Sequence, residues 1–324
     1  MSKTLKIFFH DACFDGTASA ALFAAFYRDA VDRAAEVVPI GMVHADGDPF
    51  VDTAFDADDH ACVDFRYTDR PQLRWWFDHH RTAFQPERLR AAFERDASGA
   101  KFWSPDAPSC AGFMTRTLGE RWGWRPPAHL LELVRWADTI DAARFGSAAE
   151  AVATERPAQR LALWISHNRD RAAAARYIEL LTRAPLEEVA ADPAISAAVS
   201  GLVAGRAALA ELVERRAVVD GDVVLIDLAD DPAGPSPGFL GYQLFPACRY
   251  SVSLVRGEHT VKVAVGRNPW TTRAAAAAGH DVGALCAAHG GGGHHAVGGI
   301  TLPLHEVGRA RTAARAILGT LRGD

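Results

Sequence analysis

The chain has 324 residues, 49% of them hydrophobic and 23% charged, with a formal net charge of −5 and a pI near 6.2. Such apolar content predicts a packed globular protein, and the length predicts two domains. The acidic balance excludes the broad basic surface that coats long duplex nucleic acid, and leaves a local basic groove or a small anionic substrate.

From the N-terminus, residues 5–9 form a short apolar run that ends at His10. The polar Asp-Ala-Cys-Phe-Asp-Gly and an Ala-rich segment, 17–29, follow it, which reads as strand, loop and helix. Asp46, Asp48, Asp52, Asp56, Asp58 and Asp59 read as a solvated acidic loop. Segment 60–65, His-Ala-Cys-Val-Asp-Phe, predicts a second buried strand at Asp64. Segment 73–77, Leu-Arg-Trp-Trp-Phe, predicts a third, ending at Asp78, His79 and His80. Strand followed by polar loop, three times over, predicts a parallel sheet, whose ligands bind beyond the carboxyl ends of the strands.

Residues 109–122 and 128–140 read as helices, the first capped by Ser109. Segment 157–183 reads as helical, with Trp164, Ile165, Tyr177, Ile178 and Leu181 buried. Residues 194–216 read as a long Ala/Leu/Val connector helix. Beyond it, 218–227 reads as turn and strand, and 250–255 with 260–265 as a strand pair around Gly257. A helix, 281–288, leads into a glycine run and out into a strand, 299–304. The predicted class is α/β: an N-terminal parallel-sheet domain (1–190), a helical connector (191–216) and a smaller C-terminal α/β domain (217–324).

Five scattered cysteines without a C-x-x-C pair predict reduced thiols in a cytoplasmic protein. The N-terminal apolar run is too short for a signal peptide, and no charge-free stretch of about 18 apolar residues reads as a membrane span, so no membrane partner is expected.

Carboxylates and imidazoles suit Mn2+ or Mg2+ sites that act on phosphates. Taken singly, His10 reads as a loop histidine, Asp15 as a helix cap and Asp64 as a surface turn residue. Their joint placement with Asp78, His79 and His80 at successive strand ends raises the functional reading. In the C-terminal half, Gly291, Gly292 and Gly293 before His294 would let backbone amides approach an anion closely, with Arg267 within reach of it.

The triplet Asp78-His79-His80, preceded by an apolar strand and followed by Arg81-Thr82-Ala83, resembles the signature of the DHH phosphoesterase superfamily. The segment His10-Asp-Ala-Cys-Phe-Asp-Gly-Thr-Ala-Ser-Ala resembles its first motif, Val63-Asp64-Phe65 its second and Trp136-Ala-Asp138-Thr-Ile-Asp141 its fourth. The run from Gly290 through His294 and His295 to Gly299 resembles the glycine-rich motif of the DHH-associated C-terminal domain. The resemblance spans nearly the whole chain.

It implies two Mn2+ or Mg2+ ions and a shared water that cleaves phosphoester bonds by in-line attack. His10 and Asp64 would hold one ion. Asp15, Asp64, His79 and Asp138 would hold the other, with Asp138 preferred to Asp141 because the Asp-Thr pair matches the family motif. His80 would touch the scissile phosphate or protonate the leaving group, and Asp78 would orient His79. Arg267, the glycines and His294 would grip the far end of the substrate. One departure stands out: many members have Asp-x-Asp where this chain has Cys13-Phe14-Asp15. Either the softer Cys13 thiolate ligates, favouring Zn or Fe, or a water replaces the carboxylate.

The expected substrate is a short oligonucleotide or small nucleotide, cleaved by a nano-RNase-like exonuclease. The alternatives are a phosphatase acting on 3′-phosphoadenosine 5′-phosphate or another small phosphate compound, and a nucleotide-binding protein without catalysis. A homodimer is compatible with all three.

Overall fold

The computed structural model describes residues 2–43, 47–168, 170–270, 279–293 and 295–322. The chain forms two compact units. The first comprises Met1–Arg144 and Thr154–Leu202, the second Phe145–Ala153 and Val203–Asp324.

The first unit is built on β1 (Thr4–His10), β2 (Glu36–Met42), β3 (Asp59–Val63), β4 (Trp75–Asp78) and β5 (Lys101–Trp103). Their order is β2-β1-β3-β4-β5, with every neighbouring pair parallel. Strands of such a sheet are buried on both faces and read as continuous apolar runs. Ile7, Phe9, Val63 and Phe77 fill one face, while Phe8, Cys62 and Trp76 fill the other together with Phe50, Phe65 and Phe84.

The helices of this unit are α1 (Phe14–Ala30), α2 (Arg88–Glu94), α3 (Cys110–Trp122), α4 (Ala128–Asp141), α6 (Pro157–His167), α7 (Arg171–Leu181) and α8 (Leu186–Ala190); α5 (Ala148–Val152) belongs to the second unit. Helix α1 lies against β1, α3 and α4. Phe77, fully buried against Phe23 and Phe102, anchors β4 one residue before Asp78. Truncating such a ring to alanine costs about 3–5 kcal/mol.

The expected parallel sheet is present, with two strands that periodicity does not reveal. Strand β2 contains Pro39, which lacks an N–H and is tolerated because β2 is an edge strand. Strand β5 has only three residues. The single helix expected over 157–183 is two: the Asn168 amide closes α6 on the Trp164 carbonyl at 2.8 Å, and the Asp170 side chain caps α7 by accepting from the Ala172 and Ala173 amides. Of the acidic residues expected in a solvated loop, Asp46 lies outside the described residues, and Asp59 does not join such a loop. It is buried at the start of β3, where its carboxylate accepts from Tyr27, Arg74 and the Trp75 indole.

Helix α9 (Pro193–Arg216) carries the chain from the first unit into the second. By length and composition alone it is apolar enough to cross a membrane, although Arg206 interrupts it and bonds the Val152 carbonyl.

The second unit holds β6 (Ala217–Asp220), β7 (Val223–Leu228), β8 (Tyr250–Arg256), β9 (Thr260–Arg267), β10 (Gly292–Gly293) and β11 (Val297–Pro303) in the order β10-β11-β9-β8-β7-β6. Only β7 and β8 pair in parallel. Its helices besides α5 are α10 (Leu240–Leu244), α11 (Val282–Ala287) and α12 (Val307–Leu321). Ala310, Ala314, Ile317 and Leu321 of α12 share a core with Val252, Leu254 and Val263. Segment 145–153 joins this unit because the Trp270 indole donates to the Phe145 carbonyl at 2.7 Å and Arg206 holds Val152.

Candidate metal centre

Strands β1, β3 and β4 lie side by side, so their carboxyl ends deliver His10, Asp64 and the Asp78-His79-His80 triplet to one edge of the sheet. The chain turns back after β1, places Cys13 at the N-cap of α1 and puts Asp15 in the first helical turn. Gly16 makes this close return feasible, since a Cβ there would stand 2.2 Å from the His10 carbonyl oxygen. The carboxyl end of α4 adds Asp141.

Asp64 occupies the centre. It is fully buried and adopts φ +54, a left-handed conformation that Asp tolerates better than most residues. Its oxygens lie 3.5 Å from His10 Nδ1, 3.4 Å from His79 Nε2 and 3.8 Å from His80 Nδ1. These separations are long for hydrogen bonds and neither oxygen accepts one, which leaves a buried carboxylate presented to a ring of donors. His79 Nε2 also lies 3.6 Å from Asp15 and 3.4 Å from Asp141.

Among the described residues, three groups have ligand atoms mutually within 4.8 Å: His10, Cys13 and Asp64; Asp64, His79 and His80; and Asp15, His79 and Asp141. Carboxylate oxygens, imidazole nitrogens and one thiol, gathered around an unsatisfied buried carboxylate, fit divalent cations.

Secondary contacts fix these groups. His79 Nδ1 donates to the Ala107 carbonyl at 3.0 Å, so Nε2 is the nitrogen left for the cluster. Asp15 accepts from the Cys110 amide at 2.6 Å and the Ala111 amide at 3.0 Å, the first two amides of α3. Ser109 caps the same helix by accepting from Gly112, and donates to Asp138 Oδ1 at 2.5 Å.

Two expectations are corrected. Asp138 is turned to Ser109, and Asp141 is the member of the pair that stands with Asp15 and His79. The two residues lie three positions apart on α4, less than one turn, and the Asp-Thr spelling at Asp138 does not tell which one faces the cluster. Asp78 orients the His80 ring rather than that of His79: its Oδ1 accepts from His80 Nδ1 at 2.7 Å and from both histidine amides.

The electrostatics reflect three carboxylates in one small volume. Burial and the neighbouring Asp64 charge raise the Asp15 carboxyl, and the same two effects push Asp141 up to about 6. Burial alone would also raise Asp64, but His10, His79 and His80 outweigh it and hold this carboxyl well below its ordinary range. Burial works against the charged imidazoles, yet Asp64 lifts His79 to about 10 and Asp78 lifts His80 to about 9. Protons thus balance the charge that a cation would balance. Burial and then Asp64 push the Cys13 thiol up as well.

In the second unit, Arg267 ends β9 and its NH1 lies 3.4 Å from His295 Nε2, while His295 Nδ1 lies 3.5 Å from Asp281. The glycine run packs closely against β11. A Cβ at Gly291 would stand 2.2 Å from the Gly299 carbonyl oxygen, and one at Gly293 (φ +149) 2.3 Å from that of Val297, whereas Gly292 faces open space. Arg267 thus stands with His295, Gly291 and Gly293 lie against β11, and His294 lies outside the described residues. His295 belongs to the same constellation; its place beside His294 in the glycine motif was the available signal.

The fold is shared with solved structures of low sequence identity. The chain is similar over 98% of its length to the pGpG-specific phosphodiesterase PggH of Vibrio cholerae, at 19% identity with a TM-score of 0.65, covering 99% of that protein. It is also similar to Thermus thermophilus RecJ in complex with Mn2+, at 18% identity and a TM-score of 0.57, but spans only 52% of that chain. The DHH domain of a protein from a ribosomal-protein family aligns at 12% identity and a TM-score of 0.50, over 99% of this chain and 87% of that one. No family model and no curated protein matches the sequence itself.

Proposed function

We propose that the chain is a metal-dependent phosphodiesterase that hydrolyses very short oligonucleotides, dinucleotides above all. The observation that carries this reading is the Asp64-centred cluster, with carboxylates and imidazoles at three adjacent strand ends of a DHH-type sheet. The similarity to a dinucleotide phosphodiesterase over nearly the full length of both chains supports the substrate size.

His10, Cys13 and Asp64 would hold one divalent ion, and Asp15, His79 and Asp141, with Asp64 shared, a second of the Mn2+ or Mg2+ type. When bound, such ions supply Lewis acidity toward the phosphoryl oxygens and an acidified water. The residues supply the rest. Asp15 is locked by the α3 amides, and His79 by the Ala107 carbonyl, so neither reorganises during the reaction. Asp78 Oδ1 accepts from His80 Nδ1 at 2.7 Å and so holds the ring in place, which suits His80 to touch the scissile phosphate or give a proton to the departing ribose oxygen. Arg267 and the amides of Gly291, Gly292 and Gly293 would bind the anionic far end of the substrate.

The test is to incubate the protein with pGpG, other 5′-phosphorylated dinucleotides, ten-residue oligomers and bis(p-nitrophenyl) phosphate, with Mn2+, with Mg2+ and with EDTA. We expect metal-dependent release of mononucleotides, fastest from dinucleotides, and loss of at least about 100-fold in Asp64→Asn. Failure to cleave any diester with either metal overturns the reading. Preferred turnover of 3′-phosphoadenosine 5′-phosphate replaces it with a phosphatase.

A further inference from the structure

Four of the five cysteines are buried; Cys13 alone is partly exposed. Cys62 Sγ lies at hydrogen-bond distance from the Phe65 and Arg66 carbonyls, and Cys110 Sγ from the Phe77 carbonyl. Cys13 is placed differently. It is the N-cap of α1, makes no side-chain capping bond, and has Sγ within 4.8 Å of a His10 ring nitrogen and an Asp64 oxygen. The second observation is Asp64, fully buried, with Oδ2 toward His10, Oδ1 toward His79, and no hydrogen bond to either oxygen. A thiol can donate only weakly to a carboxylate, and Asp64 accepts no hydrogen bond from Cys13, whereas a cation between them would be held by sulfur and oxygen together. The group of Asp15, His79 and Asp141 contains no sulfur.

We propose that the two cation positions are chemically unlike: His10, Cys13 and Asp64 form a thiolate-containing position that selects Fe2+, Co2+ or Zn2+, beside a position of carboxylates and imidazole that takes Mn2+ or Mg2+. This rests on the reading that the cluster holds metal. Thiolate prefers the softer first-row ions, whereas Mg2+ and Mn2+ favour carboxylate and water. On binding, the thiol gives its proton to solvent and the sulfur lone pair forms the bond to the ion. No electron is transferred. With one oxygen toward each position, Asp64 would make the two ions interdependent.

The test uses the full chain stripped of metal and titrated with Co2+, a spectroscopic stand-in for Fe2+ and Zn2+. The expected result is a near-ultraviolet sulfur-to-cobalt charge-transfer band that saturates at one ion per chain, absent from Cys13→Ser. In Cys13→Asp, the preference for Zn2+ over Mn2+ at that position falls at least about tenfold in a competition isotherm. A wild-type measurement guards against misfolded variants: iodoacetamide labelling of Cys13, located by mass spectrometry, is blocked by Zn2+ or Co2+ but not by Mg2+. Cobalt bound with visible d–d bands and no charge-transfer band, or labelling that Zn2+ leaves unchanged, overturns the thiolate position while the metal cluster stands. No Co2+ binding of any kind overturns the metal cluster itself.

Discussion

Ser109→Ala tests how the fold holds a cluster carboxylate. The hydroxyl makes two bonds: it accepts from the Gly112 amide at 2.9 Å and donates to Asp138 at 2.5 Å. Losing an N-cap costs about 1 kcal/mol. A hydrogen bond to a charged group is worth about 1.5–3 kcal/mol, and Asp138 is half-buried, so water recovers part of that loss. The sum is about 2–3 kcal/mol, and at about 2–4 °C per kcal/mol for a unit of this size the Tm should fall by roughly 4–12 °C. The effect should also travel. The α3 amides of Cys110 and Ala111 hold both oxygens of Asp15, so a loosened first turn costs about 1 kcal/mol of preorganisation and raises the Mn2+ Kd about fivefold. Calorimetric melting of the metal-free protein and an Mn2+ isotherm measure the two parts. A Tm within about 2 °C of wild type refutes the bond accounting. A full Tm loss with an unchanged isotherm refutes the transmission to Asp15.

Asp141→Ala should abolish binding of one Mn2+ per chain, while Asp138→Ala keeps both ions and loses only stability; equal metal loss in both variants would sink the assignment of Asp141. For the metal-free protein, His79 and His80 hold protons up to about 10 and about 9, whereas unfolded imidazole releases its own near 6.5. The folded chain therefore binds more protons between those values, and its Tm should fall as pH rises from 6.5 to 10. Asp141, at about 6 against an ordinary 3.8, adds a fall between pH 4 and 6, and Asp64 acts oppositely only below that range. Saturating Mn2+ should flatten the profile, and a metal-free Tm that stays level across pH 6.5–10 contradicts the proton accounting. Gly293→Ala must open the β10–β11 hairpin, because its Cβ meets Val297 and Gly298 backbone at 2.3 and 2.4 Å. KM for a dinucleotide should rise while the Mn2+ isotherm is unchanged, and an unaltered KM would remove the glycine loop from substrate binding.

The sequence carries the sheet and the cluster because both depend on local order. A buried parallel strand must be apolar throughout and must end where its polar ligand begins, which is how His10, Asp64 and Asp78 declare themselves. What it hides depends on rotation and on distant partners. Asp138 and Asp141 are separated by less than one helical turn, so their roles turn on where Ser109 sits. His79 finds Ala107 only after the chain has run through β5. The edge strand β2 is disguised by Pro39, and 145–153 joins the second unit through Trp270, more than a hundred residues away.

Asp64 meets two unrelated demands at one codon. Its backbone sits at φ +54, where Gly, Asn and Asp are at ease, and its side chain must carry a negative charge into a fully buried centre. Asn and Gly satisfy the first demand and fail the second. Glu satisfies the second in charge, but brings a longer side chain and a residue less tolerant of that backbone. In a saturation library, the variants that keep the fold and those that keep the charge should form two sets that overlap only at aspartate. A lineage that loses Asp64 therefore has no neighbouring substitution through which function decays gradually, and the position behaves as a switch rather than a slope.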